Sequence, residues 1–182
     1  AFVSVMDIKT VAIGYDMRIS SPALKAACIA GARAAGASVW ELGLVTTPML
    51  YFVSGSEQVH GVMITASHNP ANYNGLKLVL PGAIPLTNTT GLRAIKKYIA
   101  THRPCMPVST VGILTKRSVL KAYEQYVKGK VIKPKRKLSI VVDVGNGMSA
   151  LLLPLLPSGA PTAVTDSTGC EVIVRVPLAL PE

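Results

Sequence analysis

Residues 10–42 read TVAIGYDMRISSPALKAACIAGARAAGASVWEL, and the order of residue types in this stretch decides the fold class. It opens on a short β-rich run, residues 10–14, that ends in glycine. A polar turn follows, in which Ser21 before Pro22 predicts a helix start with Ser21 as N-cap and Pro22 at the first helical position. The Ala-rich residues 23–35 place Leu24, Cys28 and Ala32 on one face, and Gly36 is a natural stop. Residues 38–42 (SVWEL) then read as a second strand. Working outward, Thr47-Pro48 opens a second helix through Met49, Leu50, Phe52 and Val53, and residues 61–65 form a third strand. Nearly all-apolar strands alternating with helices predict an α/β fold, a three-layer α/β/α arrangement with a mainly parallel, mixed sheet. In such sheets ligands gather at the loops leaving the carboxyl ends of the strands. Asp16 to Arg18 and Ser67 to Asn69 both occupy such loops, so the two polar clusters are expected to face one crevice.

Further along, residues 76–80 (LKLVL) alternate weakly up to Pro81-Gly82, which predicts a strand and a turn. Residues 90–100 predict a helix with Leu92, Ile95 and Ile99 inward. Residues 101–110, with Pro104 and Pro107, predict loop, and 114–127 a further helix with Leu120, Tyr123 and Val127 on one stripe. Residues 138–142 (LSIVV) start a fresh strand, followed by the turn 143–147 (DVGNG) and the apolar segment 150–156. The expected division is a first domain over 1–112, truncated by its first strand, and a second region over 113–182. The latter holds a linker helix, a basic linker and the start of a second α/β unit with an atypical tail, in which 171–176 reads as a strand.

Composition narrows the function classes. A hydrophobic content of 49% supports a packed core. Cys28, Cys105 and Cys170 are odd in number and widely spaced, which argues against a disulfide framework or a thiolate zinc site. No apolar run reaches the roughly 20 residues that span a bilayer, and the order of a signal peptide is missing, so a soluble cytoplasmic protein is expected. The net charge of +10, from 19 Lys and Arg against 9 Asp and Glu, favours phosphorylated substrates or polyanions. Much of it lies in residues 128–137 (KGKVIKPKRK), which have no interleaved aromatics. A solvated linker fits that run better than a nucleic-acid site. His60 and His102 lack metal-ligand spacing. Gly145-Asn146-Gly147 follows a strand without G-x-G-x-x-G and reads as a structural turn. Ser54-Gly55-Ser56 falls short of a hydrolase elbow.

Residues 65–77 read TASHNPANYNGLK. Ser67 beside His68 pairs an oxygen nucleophile with an imidazole that titrates near neutral pH. Asn69 offers an amide donor, and Lys77 a point charge suited to phosphate. These types suit phosphoryl transfer, yet Asn-Pro and Asn-Gly are also ordinary turn chemistry, and residue types alone favour the turn.

The full string decides between them. Ile64-Thr65-Ala66-Ser67-His68-Asn69-Pro70 followed by Tyr73-Asn74-Gly75-Leu76-Lys77 closely resembles the phosphoserine loop of the α-D-phosphohexomutases, the phosphomannomutase/phosphoglucomutase superfamily. Three further stretches match the same family in order: GYDMRISS at 14–21, GLVTTP at 43–48, and VVDVGNGM at 141–148. The resemblance covers about residues 10–156. It implies that Ser67 is carried as a phosphoserine, that hexose 1-phosphate and hexose 6-phosphate are interconverted through a bisphosphate, and that hexose 1,6-bisphosphate is the activator. His68 would move a proton or hold the phosphate, Lys77 would contact the phosphoryl group, and Asn69 would bind phosphate. Arg18 would sit at the edge of the site and bind substrate or phosphate, or else form a structural salt bridge to Asp16 or a neighbour. Magnesium would bind the phosphate on Ser67.

Against the family pattern, the opening aromatic-Asp-Ile-Arg-Gly strand and the magnesium loop Asp-Gly-Asp-x-Asp-Arg do not occur, and Asp7, Asp16, Asp143 and Asp166 are far apart in sequence. Family members have four domains, so this chain is expected to be an incomplete phosphotransferase, inactive alone. The alternative is a non-catalytic sugar-phosphate-binding or protein-interaction module. Either would expose an unpaired domain interface that favours self-association.

Overall fold

The computed structural model describes residues 1–101, 110–130, 139–142, 147–155 and 174–177. The chain divides into two units, Ala1–Leu120 and Lys121–Glu182. The first begins with a short helix, α1 (Phe2–Met6), followed by β1 (Thr10–Tyr15), α2 (Ser21–Ala34), β2 (Ser38–Leu44), α3 (Thr47–Ser56) and β3 (His60–Ile64). Then come β4 (Leu76–Leu80), β5 (Ile84–Pro85), α4 (Arg93–Thr101) and β6 (Leu114–Lys116). The sheet order is β5-β4-β3-β1-β2-β6. Strands β3, β1, β2 and β6 run parallel, and β4 and β5 are antiparallel, so the sheet is mixed and mainly parallel.

Alternation along the strands sorts the two faces. Val11 and Ile13 of β1, Val39 of β2, and Val62 and Ile64 of β3 pack with Val3 of α1 and with Ile29 and Ala32 of α2. On the opposite face Leu50 of α3 lies over Gly61 and near Val79. Burying a leucine such as Leu50, with none of its surface exposed, contributes roughly 1.5–3 kcal/mol. Gly14 cannot carry a side chain, because a Cβ there would come 2.3 Å from Cγ2 of Val45. A register shift beside Ile13 and Gly14 also leaves Leu42 of β2 as an extra residue, a bulge in β2 against β1. That bulge sits beside the carboxyl end of β1, where the first polar loop leaves.

Several local expectations are corrected. Ser20, not Ser21, occupies the N-cap of α2, and it makes no capping bond. The Ser21 hydroxyl is drawn away to the Asp16 carboxylate. Leu24 is exposed, and the buried stripe of α2 is carried by Ile29 and Ala32. Cys28 lines an apolar cavity of about 220 Å³ with Phe2, Val11, Ile13, Val62 and Leu78, and burial raises its thiol pKa. The helix expected over 90–100 starts later: a wide turn, Asn88–Leu92, breaks at Gly91 (φ 145) before α4. Ile95 of α4 is buried, whereas Ile99 is exposed.

The helix expected from Leu114 begins instead as strand β6, which pairs with β2 through Val39 and Leu114, Trp40 and Thr115, and Glu41 and Lys116. Arg117 then stacks 3.6 Å over the Trp40 ring and is ion-paired with Glu57 at 3.8 Å. The first sheet therefore extends beyond residue 112. The helix itself is α5 (Leu120–Lys128).

In the second unit β7 (Ser139–Val142) pairs antiparallel with β8 (Val174–Pro177), and Met148–Leu155 forms a 3-10 helix. His102, Cys105, Asp143, Gly145, Asn146, Asp166, Cys170 and most of the basic run lie outside the described residues. Among the described residues no helix is long and apolar enough to cross a membrane.

Candidate active site

Tyr15 is paired with Ile64 at the carboxyl ends of β1 and β3, and the Asp16 N–H donates to the Ile64 carbonyl at 3.0 Å. The loops that follow the two strands therefore start side by side. Asp16, only 6% exposed, turns its carboxylate back into the first loop. One oxygen accepts from the Ser21 hydroxyl at 2.6 Å and from the Arg18 backbone N–H at 3.1 Å. The other accepts from Arg18 Nε at 3.2 Å.

The Arg18 fork points across to the second loop. Nη1 donates to the carbonyls of Pro70 at 2.8 Å and Tyr73 at 3.1 Å. Nη2 donates to those of Ser67 at 2.9 Å and Asn69 at 2.7 Å. With Nε on Asp16, all five guanidinium donors have protein acceptors. A second cross-link runs the other way: Asn74 Nδ2 donates to the hydroxyls of Ser20 and Ser21, each at 2.9 Å. The oxygen of the same amide accepts from the Gly75 N–H at 2.8 Å.

Within the second loop, Thr65 is buried, and its backbone N–H donates to the Gly75 carbonyl at 2.9 Å. Its hydroxyl accepts from the Ser67 N–H at 3.0 Å. Asn69 N–H closes a turn onto Ala66 at 3.1 Å, and Tyr73 N–H another onto Pro70 at 3.0 Å. Ser67 has φ 57, in the left-handed region that non-glycine residues rarely occupy and that clusters at functional sites. The loop closes where Ile64 pairs with Leu76, which places Lys77 on β4 opposite Met63.

Ser67, His68, Asn69 and Lys77 are all exposed. Among the described residues the Ser67 hydroxyl, the His68 ring and the Lys77 ammonium have no hydrogen-bond or ion-pair partner. The arrangement offers a solvent-facing hydroxyl beside an imidazole, on a loop pinned from beneath. Among the described residues no three His, Cys, Asp or Glu side chains come together to hold a metal ion. The magnesium implied by the resemblance therefore finds no fitting ligand set among them.

Residues 1–104 match the family profile described as phosphoglucomutase/phosphomannomutase, alpha/beta/alpha domain I. The chain belongs to the phosphoglucomutase/phosphomannomutase family. It is 38% identical over 165 residues to a Xanthomonas campestris protein named for phosphohexose mutases, covering 88% of this chain and 36% of that protein. It is 40% identical over 141 residues to an Escherichia coli phosphomannomutase, covering 75% and 31%. A phosphoglucomutase/phosphomannomutase family protein from Burkholderia thailandensis superposes with a TM-score of 0.68 at 32% identity, over 85% of this chain and 34% of that one. The chain thus spans about a third of the length of the relatives it matches.

The two family motifs, GYDMRISS and TASHNPANYNGLK, lie on the two adjoining loops. The resemblance places Arg18 at the edge of the site, binding substrate or phosphate, and leaves open a structural salt bridge to Asp16 or a neighbour. The structure shows the salt bridge, together with four loop carbonyls. Sequence alone names Asp16 only as a salt-bridge partner of Arg18 and assigns Ser21, Thr65 and Asn74 no part in the site. Their signal was present in the motifs, but Ser21 read as a helix cap and Asn74 as half of an Asn-Gly turn.

Proposed function

We propose that this chain carries the phosphoryl-transferring loop of a phosphohexomutase, with Ser67 as the residue that is phosphorylated. The observation supporting this most directly is the exposed Ser67 hydroxyl, held at φ 57 on a loop fixed by Arg18 and Thr65.

In the charging step a hydroxyl-bound phosphoryl group of hexose 1,6-bisphosphate passes to Ser67 Oγ. The phosphorus-to-sugar oxygen bond breaks, the phosphorus-to-Oγ bond forms, and the serine proton passes to the departing sugar oxygen. In the working direction the Ser67 phosphate goes to a free hydroxyl of a hexose monophosphate, whose proton moves to Oγ. The bisphosphate so formed turns over in the site and returns its other phosphoryl group to Ser67, so hexose 1-phosphate and hexose 6-phosphate are exchanged. Such transfer depends chiefly on positioning and on neutralising charge. His68 carries the proton or holds a phosphate oxygen, Lys77 supplies a compact positive charge near the phosphoryl group, and Asn69 offers an amide to it.

The test is incubation with labelled glucose 1,6-bisphosphate and magnesium, followed by phosphopeptide mapping, beside Ser67→Ala. Label confined to the 65–77 region and lost in the variant is expected. Absence of label from a folded sample that still binds hexose phosphate would overturn the reading in favour of a non-catalytic sugar-phosphate module. We also expect the exposed apolar side chains Val111, Ile113 and Leu114 to support self-association, which sedimentation measures.

A further inference from the structure

We propose that Arg18 is a positioning residue: it holds Ser67 in its left-handed conformation and is not available to bind substrate phosphate. The proposal deepens the phosphotransfer reading above and, for its effect on chemistry, rests on it. An L-residue at φ 57 in an exposed loop relaxes unless its surroundings determine it on both sides. Here they do. The Ser67 N–H is tied to Thr65 Oγ1 at 3.0 Å, and its carbonyl to Arg18 Nη2 at 2.9 Å.

The same guanidinium gathers the carbonyls of residues 67, 69, 70 and 73, so the loop is wrapped around one planar cation. Asp16 aims that cation through Nε, and Ser21 in turn holds Asp16. Asn74 closes the circuit from the serine loop back to Ser20 and Ser21. Each loop thus grips the other at a separate point, and the hydroxyl of Ser67 is presented outward with its backbone fixed on both sides. Only a fork of five donors fits this arrangement. A lysine ammonium has three donors at a single point and cannot reach four splayed carbonyls and Asp16 at once.

Hydrogen exchange of the whole chain, followed peptide by peptide, tests this directly. In Arg18→Ala, amides of residues 65–75 are expected to exchange about tenfold faster, while β1 to β3 keep their protection. Arg18→Lys is expected to resemble Arg18→Ala, and methylguanidinium added to Arg18→Ala to restore protection. The maximal rate of Ser67 labelling by glucose 1,6-bisphosphate should fall about a hundredfold in Arg18→Ala, with half-saturation little changed, as expected for a misplaced nucleophile. Unchanged exchange in residues 65–75, or full substitution by lysine, overturns the proposal. So does a labelling defect that appears only as weaker half-saturation, since that marks a ligand-binding residue. Should Arg18→Ala lose protection throughout β1 to β3, Asn74→Ala takes its place: faster loop exchange supports the brace and unchanged exchange overturns it. Failure of the wild-type chain to take label would sink the phosphotransfer reading alone, because the exchange comparison still decides the brace.

Discussion

Replacing Asp16 with alanine should reveal how much of the site's order is built into the fold. The carboxylate accepts three hydrogen bonds, from the Ser21 hydroxyl and from the backbone and Nε of Arg18. Its side chain and that of Arg18 are only 8% and 13% exposed. Hydrogen bonds to a charged group contribute about 1.5–3 kcal/mol each, but the three share one acceptor, and the carboxylate regains solvation on unfolding. Removing one partner of a mostly buried pair costs about 3–5 kcal/mol when the other is left stranded. Arg18 keeps four carbonyl acceptors, so the low end applies and we expect about 3 kcal/mol, or roughly 6–12 °C in Tm for a chain of this size. Asp16→Asn keeps one acceptor oxygen and should cost about half as much. Trp40 is the single tryptophan and lies in β2, so its fluorescence in a urea titration reports on the first unit at unchanged m. In a cycle with Ser21→Ala, the double variant should cost less than the summed single variants, because both remove the same 2.6 Å bond. A loss below about 1 kcal/mol in Asp16→Ala would mean that water replaces the carboxylate freely, which would refute its role as a buried hub.

Three further outcomes are expected. Gly112→Ala would place a Cβ 1.9 Å from the Ala37 carbonyl oxygen, against backbone that cannot rotate aside; it should cost about 3 kcal/mol by urea titration. Gly31→Ala, with nothing within 4 Å of the new Cβ in α2, should instead stabilise by about 0.5–1 kcal/mol. Burial holds the His60 imidazole below its usual pKa of 6.5. The unfolded chain therefore binds the proton more readily, so stability should be full above that value and fall as pH drops through the folded pKa. His60→Gln should flatten that dependence in parallel melts across the pH range.

The layered fold was legible because it rests on patterns within single segments. Apolar runs such as residues 10–14 and 61–64 mark strands buried on both sides, and the alanine-rich stretch between 23 and 35 has only one regular use. What escaped was set by partners distant in sequence. The stripe Leu120, Tyr123 and Val127 belongs to the real helix α5, but nothing local says that residues 114–116 should stop short of it. They become a strand because β2 offers an open edge there, with Trp40 beneath Arg117. An edge strand of three exposed residues takes its conformation from its neighbour and leaves little trace in its own sequence. Ser21 shows the same effect on a smaller scale: the cap rule places it at the N-cap, but that position falls to Ser20, and the Ser21 hydroxyl instead donates to Asp16 and accepts from Asn74, a partner 53 positions away.

The candidate site divides along a different line. Ser67, His68 and Lys77 were readable because the proposed chemistry is assigned to their side chains, and a side chain is what a sequence records. The brace beneath them is made from backbone carbonyls, which every residue has. Asn69 illustrates the difference. Its amide side chain drew attention, yet the Arg18 contact is made to its carbonyl oxygen at 2.7 Å. Asn69→Ala would leave that bond in place, just as changes at Tyr73 would leave its own carbonyl available. Arg18 has no such latitude, because its fork is the common element in all four contacts. A loop held in this way can vary many of its side chains and still present Ser67 in one conformation. The residue that determines the conformation lies 49 positions away, on the loop that follows the neighbouring strand β1.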